Sequence, residues 1–268
     1  GLLTGASQDG GRTWTLAAAA FSHCTGGNAA NGGDYERATD PWVSFAPDGT
    51  AWQIALATAG ATNAILVSRS ADGGRIWSAP TTLIRDEVEF NDKESITADP
   101  HDARFVYAIW DRLNGANGAP TYFARTTDGG ATWEPARAIY DPGNTAQTIN
   151  NQVVVLPDGT LVAFFTRLPT TASSRYVPEM LVMRSTDRGA SWSQPIGVAA
   201  VQSLGTHDEN SGFFVRDGSN LGSIAAGPNG ELAVAWQDAR FSGGAYDGIA
   251  FTRSTDGGFT WSAPVRIN

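Results

Sequence analysis

The chain has 268 residues, 41% of them hydrophobic, with 31 glycines, 13 prolines, nine tryptophans and only two methionines. That is enough apolar residue for a large core, and the balance suits short aromatic-anchored strands joined by tight turns. Eighteen basic and 27 acidic side chains leave a net charge of −9 with no Lys/Arg cluster, so neither nucleic acid nor an anionic membrane surface is expected as a partner.

No apolar run reaches the roughly 20 residues of a spanning helix, and no membrane insertion is expected. The single Cys24 cannot form an internal disulfide, which leaves the compartment open. No stretch keeps a helical period, and the class expected is all-β.

From the N-terminus, one phrase recurs five times: Ser7-Gln-Asp-Gly-Gly-Arg-Thr-Trp14, Ser70-Ala-Asp-Gly-Gly-Arg-Ile-Trp77, Thr126-Thr-Asp-Gly-Gly-Ala-Thr-Trp133, Ser185-Thr-Asp-Arg-Gly-Ala-Ser-Trp192 and Ser254-Thr-Asp-Gly-Gly-Phe-Thr-Trp261. Asp9, Asp72, Asp128, Asp187 and Asp256 lie 63, 56, 59 and 69 residues apart. That period is too long for a helical solenoid and fits a four-stranded sheet per repeat, hence a β-propeller. Each phrase reads as a hairpin turn: glycine supplies positive φ, aspartate accepts backbone N–H groups, and tryptophan anchors the chain beyond.

A second marker sets the register. Pro47-Asp-Gly-Thr50, Pro157-Asp-Gly-Thr160 and Pro228-Asn-Gly-Glu231, with a looser Pro100-His-Asp-Ala103, are further tight turns. Strand a of each blade runs into this turn (42–46, 95–98, 152–156, 223–226) and strand b leaves it (51–57, 105–110, 161–166, 232–236). Strand c approaches the aspartate (64–69, 121–125, 180–184, 248–253), and strand d is expected to start at the tryptophan. The chain then reads as a single propeller domain over 1–268: a partial blade at 1–16 and blades at about 38–83, 92–139, 150–198 and 220–268. The a–b and c–d turns share one face. The long, polar b–c loops and d-to-a links share the other, where function is expected.

The five phrases resemble the Asp-box of the sialidase (neuraminidase)-like and BNR-repeat propellers, over nearly the whole chain. The resemblance implies that the five aspartates are structural and that the fold is a propeller of four-stranded antiparallel blades. Since a sialidase-like ring has six blades, four complete blades and a partial one read as a fragment; an open or atypical five-blade ring is the alternative. The resemblance also implies a glycan or glycoconjugate substrate and favours a secreted or extracytoplasmic location. It further implies an arginine triad, a Tyr nucleophile polarised by a Glu, and an Asp acid/base. No Phe/Tyr-Arg-Ile-Pro phrase is present, and no residue here is matched to that catalytic set.

Candidate chemistry is read from the long-loop face. The b–c loops open with Trp110-Asp-Arg112 and Trp236-Gln-Asp-Ala-Arg240, with Thr166-Arg167 between them. The links supply Asp34-Tyr-Glu-Arg37, Asp40, Asp86-Glu87, Asp92-Lys-Glu94, His207-Asp-Glu209 and Arg216-Asp217. Unequal carboxylates can act as acid and base on a glycosidic bond, and arginines can grip an acidic sugar. Asp92, Glu94, Asp111 and Asp238 are therefore the catalytic candidates, with Arg37, Arg112, Arg240 and Tyr246 for substrate. The leading expectation is that these carboxylates and arginines converge in a sialidase-like exo-glycosidase.

The competing reading makes Asp111/Arg112 and Asp238/Arg240 salt bridges that tie loops down, in a non-catalytic carbohydrate- or protein-binding propeller. A polysaccharide lyase using Tyr246 beside Arg240 is a third reading. Arg69, Arg125, Arg184 and Arg253, each three residues before an aspartate of the repeat, read as scaffold. His207-Asp-Glu209 lacks metal-ligand spacing, and neither metal nor cofactor is expected.

Overall fold

A computed structural model describes residues 1–115, 118–172 and 174–268. The chain is all-β, and its four-stranded antiparallel sheets are the blades of a β-propeller. The described residues form two compact units, Gly1–Asp141 and Pro142–Asn268.

In the first unit a two-stranded hairpin, β1 (Thr4–Ala6) and β2 (Thr15–Ala17), precedes two full sheets. One sheet runs β3 (Arg37–Phe45), β4 (Ala51–Ala59), β5 (Thr62–Ser70) and β6 (Thr81–Asp86). The next runs β7 (Phe90–Ala98), β8 (Val106–Leu113), β9 (Thr121–Thr126) and β10 (Arg137–Tyr140).

In the second unit β11 (Ala146–Val155), β12 (Leu161–Pro169), β13 (Glu179–Ser185) and β14 (Ile196–Ala200) form one sheet. The small hairpin β15 (Thr206–His207) and β16 (Phe214–Val215) interrupts the link to the last sheet. That sheet is β17 (Ser223–Ala226), β18 (Leu232–Asp238), β19 (Gly248–Ser254) and β20 (Val265–Arg266). In every full sheet the strands pair in chain order, the pattern that consecutive tight turns produce.

The repeated turns are closed by their own side chains. The Ser or Thr hydroxyl two residues earlier donates to Oδ1 of Asp9, Asp72, Asp128, Asp187 and Asp256, at 2.7–2.9 Å. The same Oδ1 accepts the backbone N–H of Thr13, Ile76, Thr132, Ser191 and Thr260 at 2.9–3.0 Å. These hydrogen bonds favour the ionised form and hold Asp9 and Asp128 at about 2, with Asp187 and Asp256 lower still. Neighbouring turns are also stitched together: Gln8 Nε2 donates to the Gly73 carbonyl and Arg69 Nη1 to the Gly129 carbonyl. Gly130 has φ +81, and a Cβ there would lie 2.3 Å from the Trp52 ring, so both backbone and packing require glycine.

Strand d starts later than the sequence reading has it. In the four full sheets it begins four residues past the tryptophan, at Thr81, Arg137, Ile196 and Val265. The backbone N–H of the residue after each tryptophan bonds back to a strand c carbonyl (Ser78, Glu134, Ser193 and Ser262 to Arg69, Arg125, Arg184 and Arg253). Proline then removes a ladder donor at Pro80, Pro195 and Pro264.

Alternating strand residues fill the spaces between sheets. In the first unit Trp52, Ile54, Leu56, Ile65 and Val67 pack on Ile96, Val106, Ala108 and Trp110. The opposite face of β4 and β5 presents the smaller Ala55, Ala57 and Ala64 to Phe21 and Tyr35. In the second unit Val162, Phe164, Met180 and Val182 meet Ile224, Leu232, Val234 and Trp236. Each such Leu, Ile or Phe contributes about 1.5–3 kcal/mol.

Candidate functional site

The first strands of three full sheets carry a residue in left-handed backbone, Asp40 (φ 51) in β3, Lys93 (φ 52) in β7 and Asn150 (φ 64) in β11, and in the fourth Asn220 (φ 66) stands just before β17. In β3, β7 and β11 the register with the second strand shifts there, between Thr39 and Trp42, Asp92 and Ser95, and Ile149 and Gln152. These are β-bulges, which turn side chains out of the ladder. Asparagine serves the backbone at two of the four places, since it tolerates this conformation with no charge. Asn150 also donates to the Gly222 carbonyl at 2.6 Å, as does Gln152 at 2.9 Å. The first unit instead places charge at its bulges.

That charge is organised. Lys93 Nζ lies 2.9 Å from Asp40 Oδ2, joining the bulges of β7 and β3, and Thr39 Oγ1 donates to Asp40 Oδ1 at 2.9 Å. Asp92 faces Asp111 as its direct partner across β7 and β8. Opposed side chains in an antiparallel pair share one face with Cβ atoms about 4.5–5.5 Å apart. Asp92 is partly open to solvent, whereas Asp111 is buried.

Glu94 lies beneath, 4% exposed, and neither carboxylate oxygen has a hydrogen-bond partner among the described residues. Burial, reinforced by the negative charges of Asp40 and Asp92, pushes its carboxyl well above the usual range; the nearby Glu94 and Leu56 backbones offset only part of this. Three carboxyl groups thus lie close enough to feel one another, with one lysine among them.

Asn91, next to Asp92, is fixed from two directions: it accepts from Trp110 Nε1 at 2.9 Å and donates to Asn63 Oδ1 at 2.8 Å. This buried network holds the start of β7 against β8 and the preceding sheet.

The remaining predicted residues divide differently. Arg37 is exposed at the start of β3. Arg112 does not pair with its neighbour Asp111: its guanidinium bonds Asp86 and, at 3.0 Å, the Tyr122 hydroxyl. Burial pushes Asp86 upward, but the Glu89 and Val88 N–H groups and Arg112 prevail and hold it at about 2.

In the second unit Arg240 grips Asp238 through both oxygens at 2.8 Å. Asp238 also accepts from Trp236 Nε1 at 2.7 Å and from the Gln202 N–H at 3.1 Å. Burial opposes its ionisation, yet these donors prevail and lower its pKa. Side chains so committed tie loops down: Asp238 and Arg240 form the ion pair of the competing reading, whereas Arg112 is paired with Asp86 and not with Asp111.

Tyr246 is exposed and lines a cleft of about 740 Å³ with His207, Glu209, Gln237 and Asp247. From sequence, Asp40 is one of several recurring carboxylates and Lys93 sits with Asp92 and Glu94 ahead of an inner strand, but neither is a candidate catalytic or substrate residue. The repeated left-handed position in the first strand is what distinguishes them.

No protein-family model matches the chain. A xyloglucanase from a Paenibacillus species is 28% identical over 201 residues, which are 66% of this chain and 17% of that protein. Among solved structures, the NanB sialidase of Streptococcus pneumoniae superposes with a TM-score of 0.64 at 12% identity, over 87% of this chain and 52% of that one. A leech intramolecular trans-sialidase gives 0.63 at 12%, over 87% and 51%. The α-L-arabinanase of Penicillium chrysogenum, complexed with arabinobiose, gives 0.62 at 14%, over 97% and 71%. The chain thus spans about a sixth of the xyloglucanase and about half of each sialidase, and its fold is that of the sialidase-like β-propellers.

Proposed function

We propose that this chain is the glycan-acting part of a glycoside hydrolase, with a sugar held over the bulges of β3 and β7 and Asp92 acting on the glycosidic bond. The observation that carries the reading is the grouping of Asp40, Asp92 and Glu94 around Lys93, at positions where the second unit uses asparagine.

Asp40 and Asp92 are the members open to solvent. Lys93 is paired with Asp40, leaving Asp92, partly open to solvent, as the carboxyl that acts on the substrate. Unequal environments are what a two-carboxyl mechanism needs. Buried Glu94 and Asp111 act as positioning residues.

Similarity to a xyloglucanase, an arabinanase and sialidases supports a carbohydrate substrate class. Sialoside hydrolysis, the finer expectation, needs arginines free for a carboxylate, and Arg112 and Arg240 are engaged by Asp86 and Asp238. Neutral glycans fit better. The burial of Glu94 and Asp111 favours one rival, a propeller that binds glycans without cleaving them.

The test is a panel of neutral polysaccharides (xyloglucan, arabinan, xylan) and a fluorogenic sialoside, read by reducing-end release and fluorescence. Turnover of a neutral glycan supports the reading. Binding with no turnover by folded protein supports the rival, and sialoside turnover alone restores the sialidase expectation.

A further inference from the structure

The second unit carries a cleft that the reading above does not use. It lies where the loop 239–247, between β18 and β19, meets the link that forms the β15–β16 hairpin. Its construction is specific. Asp247 accepts the Leu204 and Gly205 N–H groups at 3.0 Å, the Ser203 hydroxyl at 3.0 Å and Gln237 Nε2 at 2.7 Å, clamping the link to the loop. Asp217 holds the same Gln237 from another side at 3.0 Å. The wall is therefore fixed before any ligand arrives, the condition under which a pocket binds without an ordering penalty.

Of two exposed aromatic rings, Tyr246 lines the cleft and Phe214 packs on the lining residue His207. Tyr246 is 56% exposed, and the Phe214 ring, 77% exposed, rests against His207 with centroids 4.0 Å apart. Glu209, Gln237 and Asn268 add hydrogen-bonding groups to the lining. Exposed rings beside amides and a carboxylate suit a ligand with apolar C–H faces and many hydroxyls. A volume of about 740 Å³ falls in the range of pockets that enclose small molecules. The lining carries the carboxylates of Glu209 and Asp247 against the single imidazole of His207, and the Arg266 guanidinium lies 5.8 Å from the Tyr246 ring centroid beside it; two carboxylates outweigh that one fixed cation, which favours a neutral sugar over an anionic one.

We propose that the cleft lined by Tyr246, Glu209 and Gln237 is a binding site for neutral oligosaccharide, with a sugar ring stacked on Tyr246 and hydroxyls donated to Glu209. The site does not rest on hydrolysis at Asp92, and it holds for a cleaving or a non-cleaving propeller.

The test is isothermal titration calorimetry with cellotetraose, xylotetraose and 3′-sialyllactose, using full-length protein that carries Asp92→Asn so that the ligand stays intact. A neutral tetrasaccharide is expected to bind, Tyr246→Ala to weaken it about tenfold and Tyr246→Phe to retain it. Glu209→Gln is expected to weaken binding several-fold, and sialyllactose to bind at least about tenfold more weakly than the neutral ligand. Tyr246 and Glu209 are exposed and Asp92 is partly so, and circular dichroism checks the fold. Neutral binding unchanged in both Tyr246→Ala and Glu209→Gln, no neutral binding, or equal affinity for sialyllactose overturns the proposal. None of these outcomes bears on Asp92, whose role is read from turnover by the unmodified protein.

Discussion

Lys93 and Asp40 meet across two blades, Nζ to Oδ2 at 2.9 Å, each from a left-handed position in a strand bulge. The pair links the geometry of β3 to that of β7 and sets the charge beside Asp92. Lys93→Met leaves a partly buried carboxylate without its cation and should destabilise the chain by about 1–2 kcal/mol. Urea denaturation reads this, and adding Asp40→Asn should recover part of the loss. An additive double variant would show that the two side chains do not interact.

Glu94 makes stability depend on pH in the direction opposite to most carboxylates. Its folded-state pKa lies above the ordinary value of 4.5, so the folded chain keeps a proton that the unfolded chain releases. The contribution is fully present below about pH 4.5 and is lost as pH rises toward the folded value. Glu94→Gln keeps shape and neutrality, and it should flatten this decline and leave the protein at least as stable at pH 8. Thermal melts of both proteins from pH 4 to 9 measure it, and parallel pH curves would contradict the assignment.

The repeated turns give the opposite dependence. Asp9 and Asp128, held at about 2, and Asp72, also lowered, contribute stability present above the unfolded value of 3.8 and lost as pH falls toward 2. Asp128→Ala should lower the melting temperature at pH 7 and narrow the gap to wild type at pH 2.5, with turnover per folded molecule unchanged. A catalytic role for this aspartate would appear instead as lost turnover at an unaltered melting temperature.

Arg240→Ala removes the cation from Asp238, whose side chain is wholly buried. The expected loss is about 3 kcal/mol, read as a lower urea midpoint. Arg240→Lys should recover little, because an ammonium cannot reproduce the two-point contact. Full stability in Arg240→Ala would release Arg240 for a substrate role.

What the sequence made legible is what is local. The turns around Asp9, Asp72, Asp128, Asp187 and Asp256 close on hydrogen bonds spanning two to four residues, so eight-residue phrases carried them and, through their period, the four full sheets. Asp238 and Arg240 are two residues apart, and their ion pair was readable as one alternative. The partner of Arg112 is Asp86, 26 residues away on another sheet, and no spacing in the chain announces it. The bulges were harder still. Lysine has no turn signature, so the left-handed Lys93 follows from pairing between β7 and β8 rather than from its own chemistry. Burial of Glu94 and Asp111 likewise comes from the sheets packed around them, while their neighbour Asp92 stays open.

The central claim is that Asp92 acts on a glycosidic bond, and the most direct measurement is the kcat of Asp92→Asn beside wild type on the neutral glycans of the panel. The account predicts turnover by wild type and a fall of at least about 100-fold in Asp92→Asn, with an unchanged circular dichroism spectrum. Turnover by Asp92→Asn at the wild-type rate, or none by folded wild type on any glycan, would contradict it.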